Sequence, residues 1–254
     1  TYTMPRAYVV QGAFDASIFK RAIAYVLRRH EILRSTFDYG EDGVPEQTVH
    51  ADYSLPVVEI DLRHLPEPQR EAELQRLAQV DASTPFDLKT QLPFRASIIP
   101  LSDRACGVQL NVHHIAADAR SMELVRKEMF AAYDAYSKGA EPRLQPLQLQ
   151  YGDYACWHRE LMQRGFIEKE LGYWKKQLAD LPEVHALPQK GPRQAKVQGS
   201  GDSFWQNVDA ELAQGVRQLC RSPECTPFML LHSVFGLVVA AYSGPGDVVV
   251  GTPI

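Results

Sequence analysis

Along this chain the apolar positions switch between two periods, and the switches mark out its elements. "MPRAYVVQGAF" alternates loosely and predicts a strand, after which Asp15 stands where a helix N-cap belongs. Phe14, Ile18, Ala22 and Val26 then recur at helical spacing up to Arg29. "ILRSTFDYGEDGVPEQTVH" sets β-type residues around a Gly/Asp-rich turn, which predicts a hairpin from about 32 to 50, with a short strand at 57–60 after it. A helix is expected over 66–80. "FRASIIPLSDRACGVQLNVHH" reads as two strands about a turn at Ser102, Asp103 and Arg104. Met122, Val125, Met129, Ala132 and Tyr136 then trace one face of a long helix.

"YGDYACWHRELMQRG" and "FIEKELGYWKKQLADL" predict two more helices, parted near Gly165. The segment 182–201 is rich in Pro, Gly and basic residues, has no periodicity, and reads as a linker. Beyond it the pattern predicts a strand at 204–208, helices at 209–220 and 226–242, and a last strand at 248–250. Strands and helices are interspersed without an internal repeat, so a layered α/β or α+β fold follows, with a domain boundary near 180–200.

Composition narrows the function classes. With 254 residues and 45% hydrophobic content the chain can bury a sizeable core, as one large or two smaller domains. A net charge of −4 removes the electrostatic reason to expect nucleic acid. No apolar run approaches the roughly 20 residues of a membrane-spanning helix, so neither nucleic acid nor membrane is an expected partner. The cysteines Cys106, Cys156, Cys220 and Cys225 form no CxxC pair, and no basic-then-apolar leader precedes the first strand, which favours a reducing, cytoplasmic setting. The chain opens at Thr1 without Met and stops at Ile254 just after a strand-like run, the pattern of a piece of a longer polypeptide.

Chemistry concentrates where the last strand of the first half gives way to its long helix, in "NVHHIAADARS" (111–121). A bare H-x-x-x-D is weak, since composition alone gives roughly an even chance of one occurrence. Asp118 sits where the helix begins and could serve only as its N-cap, and Ser121 could assist at the same end. Neighbours on a strand point to opposite faces, so His113 and His114 cannot both reach one reacting atom while the strand continues. Either ring could instead be a buried, hydrogen-bonded core histidine. No HExxH is present and opposite-facing side chains do not converge on an ion, so no metal site is expected. No G-x-S-x-G elbow supports Ser121 as a nucleophile. A histidine near a helix N-terminus could take or orient a proton from an attacking nucleophile, which points to acyl or another group transfer.

In order and spacing, "RHEILRSTF" (29–37), "VHHIAADARS" (112–121), "YGDYACW" (151–157) and "VVVGTPI" (248–254) resemble the successive core motifs of condensation domains of nonribosomal peptide synthetases. With "PFDLKTQLPFRASI" (85–98) the likeness covers essentially the whole chain. The resemblance implies a two-lobed, chloramphenicol acetyltransferase-like fold with the active site in a tunnel between lobes. On that basis 1–180 would be the N-terminal lobe, 181–200 a linker and 201–254 the start of a second, incomplete lobe. It further implies peptide-bond formation, in which the amine of an acceptor aminoacyl thioester attacks a donor acyl or peptidyl thioester. Upstream and downstream carrier domains and an adjacent adenylation domain are the implied partners. Their phosphopantetheine arms carry both substrates, with no cofactor bound by the domain itself.

The second motif histidine of the family is the active-site one, here His114, and the first, His113, is structural. The motif aspartate, Asp118, is implied to be a buried anchor paired with Arg34 or, failing that, Arg29; such a charge without its partner costs about 3–5 kcal/mol. Two departures stand out. Ala119 replaces the usual glycine after the aspartate, and the S-x-A-Q-x-R motif near the family's start is absent. Two rival readings are an acyltransferase using acyl-CoA and a non-catalytic, condensation-like module that recruits partner proteins. The aromatic positions Tyr151, Tyr154 and Trp157 are expected to pack, and the pair Arg28 and Arg29 to lie on a solvated helix face.

Overall fold

The computed structural model describes residues 2–181, 187–188, 191, 204–221, 225–244 and 247–252. It divides into two units, 1–164 and 165–254. Most of the expected 181–200 linker lies outside the described residues.

The first unit is built on β6 (Ala105–His113), which pairs antiparallel with β1 (Thr3–Gln11) on one side and β5 (Phe94–Ser102) on the other. β4 (Val57–Glu59) adds in parallel to β5, giving the order β1-β6-β5-β4. Alternation along the central strands sends Phe94, Ala96, Ile98, Val108, Leu110 and Val112 to one face. There they meet Phe19, Ile23, Val26 and Leu27 of α1 (Ala16–Arg29) and Met122, Val125 and Met129 of α3 (Ala119–Ser137). Full burial stabilises each of the larger side chains by about 1.5–3 kcal/mol relative to exposure.

The opposite face receives α2 (Glu67–Ser83), where Leu74 and Leu77 border a smaller cluster of Leu62, Ile99 and Leu101. Gly107 permits this approach, because a Cβ there would lie 3.1 Å from Leu74 Cδ1 and 3.3 Å from Ile99 Cβ. The C-terminal end of α2 is pinned by polar bonds. Arg95 binds the Asp81 carboxylate and the carbonyls of Asp81 and Thr84, while the buried Asn111 amide donates to the Asp81 carbonyl at 3.0 Å. The helical and strand periods therefore produced the expected layers, and Asp15 caps α1 by accepting from the N–H groups of Ser17 and Ile18.

Three expectations require correction. The hairpin begins later than 32: Glu31–Arg34 form a 3-10 turn, and β2 (Ser35–Tyr39) pairs with β3 (Pro45–Val49) as a separate two-stranded sheet. The segments 204–208 and 248–250 are not strands, because neither has a ladder partner among the described residues; an alternating apolar pattern cannot supply the neighbour that a strand's N–H and C=O groups require. Finally, Arg29 is not solvated. It sits with His30 on Glu128 of α3, at 3.2 Å and 2.6 Å, and Glu128 is only 7% exposed.

In the second unit α5 (Glu168–Gln177), α6 (Ala210–Leu219) and α7 (Pro227–Ser243) are helical, α6 capped by Asp209 and α7 by Thr226. α4 (Tyr151–Gln163) belongs to the first unit. Gln150 and Asp153 form a capping box at its start, and Gln150 also bonds the Arg29 carbonyl and the Glu31 N–H. Tyr151, Tyr154 and Trp157 are each about half exposed, and Tyr154 contacts the other two.

The Glu128 cluster ties α1 to α3 inside the core, so Glu128→Ala strands the Arg29 charge. The expected loss is about 3–5 kcal/mol in urea unfolding, against less than 1 kcal/mol for an exposed intrahelical pair such as Arg76–Glu73 removed in the same way.

Candidate active site

The candidate chemistry lies where β6 ends. His113 is the last residue of the strand: its N–H donates to the Pro93 carbonyl at 2.9 Å, and it stands opposite Thr3 of β1. By strand parity its side chain belongs to the α2 face, along with Gln109 and Asn111. There the imidazole is half-buried, with the Phe86 ring edge-on at 6.0 Å between centroids. The Ile115 N–H donates to Nδ1 at 3.1 Å, which requires the neutral tautomer with its proton on Nε2. Burial, and then the neighbouring His114 charge, hold the His113 pKa below its ordinary 6.5. His113 is thereby committed to the turn at the strand's end.

His114 lies one residue beyond the ladder. Its N–H still donates to the Tyr2 carbonyl at 2.7 Å, which fixes the backbone, but its side chain is exposed. No hydrogen bond engages its imidazole among the described residues, so a ring nitrogen is available to a substrate. The two histidines thus part company as strand geometry requires, one ring turned into the layer and the other left outside it.

The chain then turns, with the Ala116 N–H closing onto the His113 carbonyl at 2.9 Å, and Ala117 is buried as a foot for the turn. Asp118 follows as the N-cap of α3, its Oδ1 accepting from the Ser121 N–H at 2.7 Å and the Ser121 hydroxyl at 2.6 Å. These bonds, the hydroxyl first, lower the Asp118 pKa below its ordinary 3.8. The expected buried ion pair with Arg34 or Arg29 is not formed. Asp118 is exposed; Arg34 instead donates to the His50 carbonyl at 2.8 Å and to Glu31 at 3.3 Å, and Arg29 is held by Glu128. The physical reason is proximity. Ser121 satisfies the Asp118 carboxylate one turn away, while the cations of 29–34 have nearer acceptors.

Ala119 occupies the first position of α3 without a positive φ, so the glycine usual at this position is not demanded by the backbone here. Sequence reasoning missed Phe86 and Glu128. Phe86 carries no periodic signal, but Glu128 does: it falls three residues after Val125 and beside Met129, a charge on the buried stripe that calls for a buried partner. No three His, Cys, Asp or Glu side chains converge to hold a metal ion among the described residues.

The family model for the condensation domain matches residues 1–254. The chain belongs to the condensation-domain family. One polypeptide of the linear gramicidin synthase of Brevibacillus parabrevis is 36% identical over 254 residues, which is 100% of this chain and 3% of that protein. Among solved structures, the X-domain from teicoplanin biosynthesis is 26% identical at a TM-score of 0.83, over 96% of this chain and 53% of the neighbour. A condensation domain that mediates chain release from the enacyloxin polyketide synthase is 26% identical at a TM-score of 0.71, over 95% and 45%. These neighbours share the chloramphenicol acetyltransferase-like fold expected of the condensation-domain chain. The chain spans about half of each of those structures and a small part of the synthetase.

Two outcomes follow for the motif loop. Asp118→Ala is expected to cost about 1 kcal/mol in urea unfolding at pH 7, the value of a cap and well short of a buried ion pair, with Asp118→Asn close to the parent. Because the folded carboxyl has the lowered pKa, its stabilisation is in place above about pH 4 and lost as pH falls through the folded value, so the alanine variant and the parent converge in acid. His113 has the opposite charge but the same direction. Its folded pKa lies below 6.5, so protonation favours the unfolded chain and stability declines as pH drops from 6.5 toward the folded value. In His113→Asn this decline should shrink when unfolding is measured between pH 7 and 5.

Proposed function

We propose that this condensation-domain chain forms amide bonds between carrier-bound substrates, with His114 as its catalytic residue. The observation that carries the reading is the division of labour at the end of β6: His113 is bound to the Ile115 N–H and packed against Phe86, while the exposed His114 imidazole makes no hydrogen bond among the described residues. In the proposed step the acceptor amine attacks the donor thioester carbonyl. A C–N bond forms, the C–S bond breaks, and the amine proton passes to the departing thiolate. His114 takes or orients that proton during the attack. An amine and a thioester are already a good nucleophile and leaving group, so holding them in register contributes much of the rate.

On this reading the thioesters arrive on phosphopantetheine arms of upstream and downstream carrier domains within a synthetase that also holds an adenylation domain. Residues 1–180 are read as the N-terminal lobe and 201–254 as the beginning of the second, with 181–200 as the linker. The free thiols of all four cysteines fit a reducing, cytoplasmic setting. Recruitment of a partner protein is a second reading, supported by likeness to a solved complex of the X-domain with OxyB from teicoplanin biosynthesis (25% identity, TM-score 0.81). Retention of His113, His114 and Asp118 together favours condensation.

Replacing His114 by Ala in the synthetase, with both carriers loaded, is expected to slow amide formation by about 10²–10⁴-fold, whereas Asp118→Asn, which keeps the cap, should stay within about tenfold of the parent. Product is read by mass spectrometry of the acceptor carrier. Unchanged turnover in the alanine variant rejects the assignment, and replacing the carrier-bound donor by acyl-CoA separates amide synthesis between carriers from starter acylation.

A further inference from the structure

The first unit contains a cavity of about 910 Å³ that the proposed chemistry does not use. It opens because β4 is short. β4 pairs only with Ala96, Ser97 and Ile98 of β5, so among the described residues the sheet edge at Phe94 and Arg95 has no neighbouring strand, and residues of the segments 52–60 and 84–92 line the gap. Protein interiors pack with few voids larger than a water molecule, whereas ligand pockets span about 300–1,000 Å³. Its volume lies in the ligand-pocket range.

Its lining specifies the occupant's chemistry. Tyr53, Leu55, Val57, Leu77, Phe86 and Leu92 supply apolar wall, backed by the fully buried Phe94. The cations at the cavity are already matched: Arg95 is neutralised by Asp81 and laid over the Phe86 ring at 4.1 Å, and Lys89 is paired with Asp38 at 2.7 Å. Asp52 at the mouth makes no ion pair among the described residues, which disfavours an anion. Of the neutral polar side chains in the lining, Gln109 already donates to the Leu74 carbonyl and Thr36 bonds His50, while the Tyr53, Ser54 and Ser97 hydroxyls make no hydrogen bond among the described residues and can meet one carbonyl or amide. We propose that this cavity binds a neutral, largely apolar molecule bearing a single amide or similar hydrogen-bonding group, in the size class of a medium-chain acyl amide. The site is separate from the exposed His114, with Phe86 as the wall between the cavity and His113.

The test uses the whole chain and a diazirine-bearing decanamide. Photolysis followed by peptide mapping is expected to place saturable label within 52–60 and 84–97, competed by excess decanamide, with decanoate competing about tenfold less well because it brings a charge into an apolar site. Thr84→Trp, an exposed position at the mouth, and Ser97→Phe, inside, should each lower labelling about tenfold, equivalent to about 1.4 kcal/mol of binding. Label that is absent, not saturable, confined to the exposed apolar helices α6 and α7, or unaffected by Thr84→Trp overturns the proposal. The readout is binding at a mapped position, so it stands or falls independently of amide formation.

Discussion

The two-residue period of β6 is the constraint on which the first unit depends. As the central strand it is hydrogen-bonded on both edges, to β1 and β5, and cannot slip without moving every partner. Its even positions build the core with α1 and α3; its odd positions make the floor under α2. The same alternation, run to the strand's last residue, puts His113 on the α2 face. One residue later the ladder ends, and His114 is no longer claimed by either layer. The placement of the exposed histidine follows from the arithmetic of the strand.

Much of this was legible in the chain, for physical reasons that can be named. α1 announced itself through Asp15 and the spacing of Ala22 and Val26, and the β5–β6 hairpin through its apolar runs around Asp103 and Arg104, because these signals are local and self-sufficient. The segments 204–208 and 248–250 look equally strand-like, but a strand is a relation between two stretches of backbone and one stretch cannot state it. The cavity left no trace either. It arises from a mismatch in length between β4 and β5, and no residue in its lining is unusual in type.

The loop after His114 shows how a cheap local interaction can displace a dearer one. The family resemblance implied a buried aspartate matched to an arginine, which would have bound the loop to the segment 29–34. In the structure Asp118 turns to Ser121, on its own helix, at 2.6–2.7 Å. Burial of an ion pair carries a desolvation cost that a cap avoids, since a capped carboxylate keeps part of its hydration. The arginines meanwhile serve the core: Arg29 shares Glu128 with His30, and Arg34 fastens the 3-10 turn to the end of β3 through the His50 carbonyl.

That local closure has a consequence for how such domains can be rebuilt. Apart from the Pro93 carbonyl, Tyr2 and the helical bonds of α3, the hydrogen bonds that shape 113–121 among the described residues begin and end within the loop itself. Such a segment behaves as a portable cassette. A chimera that swaps the helix α2 or the β2–β3 hairpin for that of a relative would carry the histidine turn across unaltered, whereas a crossover placed between Asp118 and Ser121 would sever the cap and leave both parents' halves without a closure.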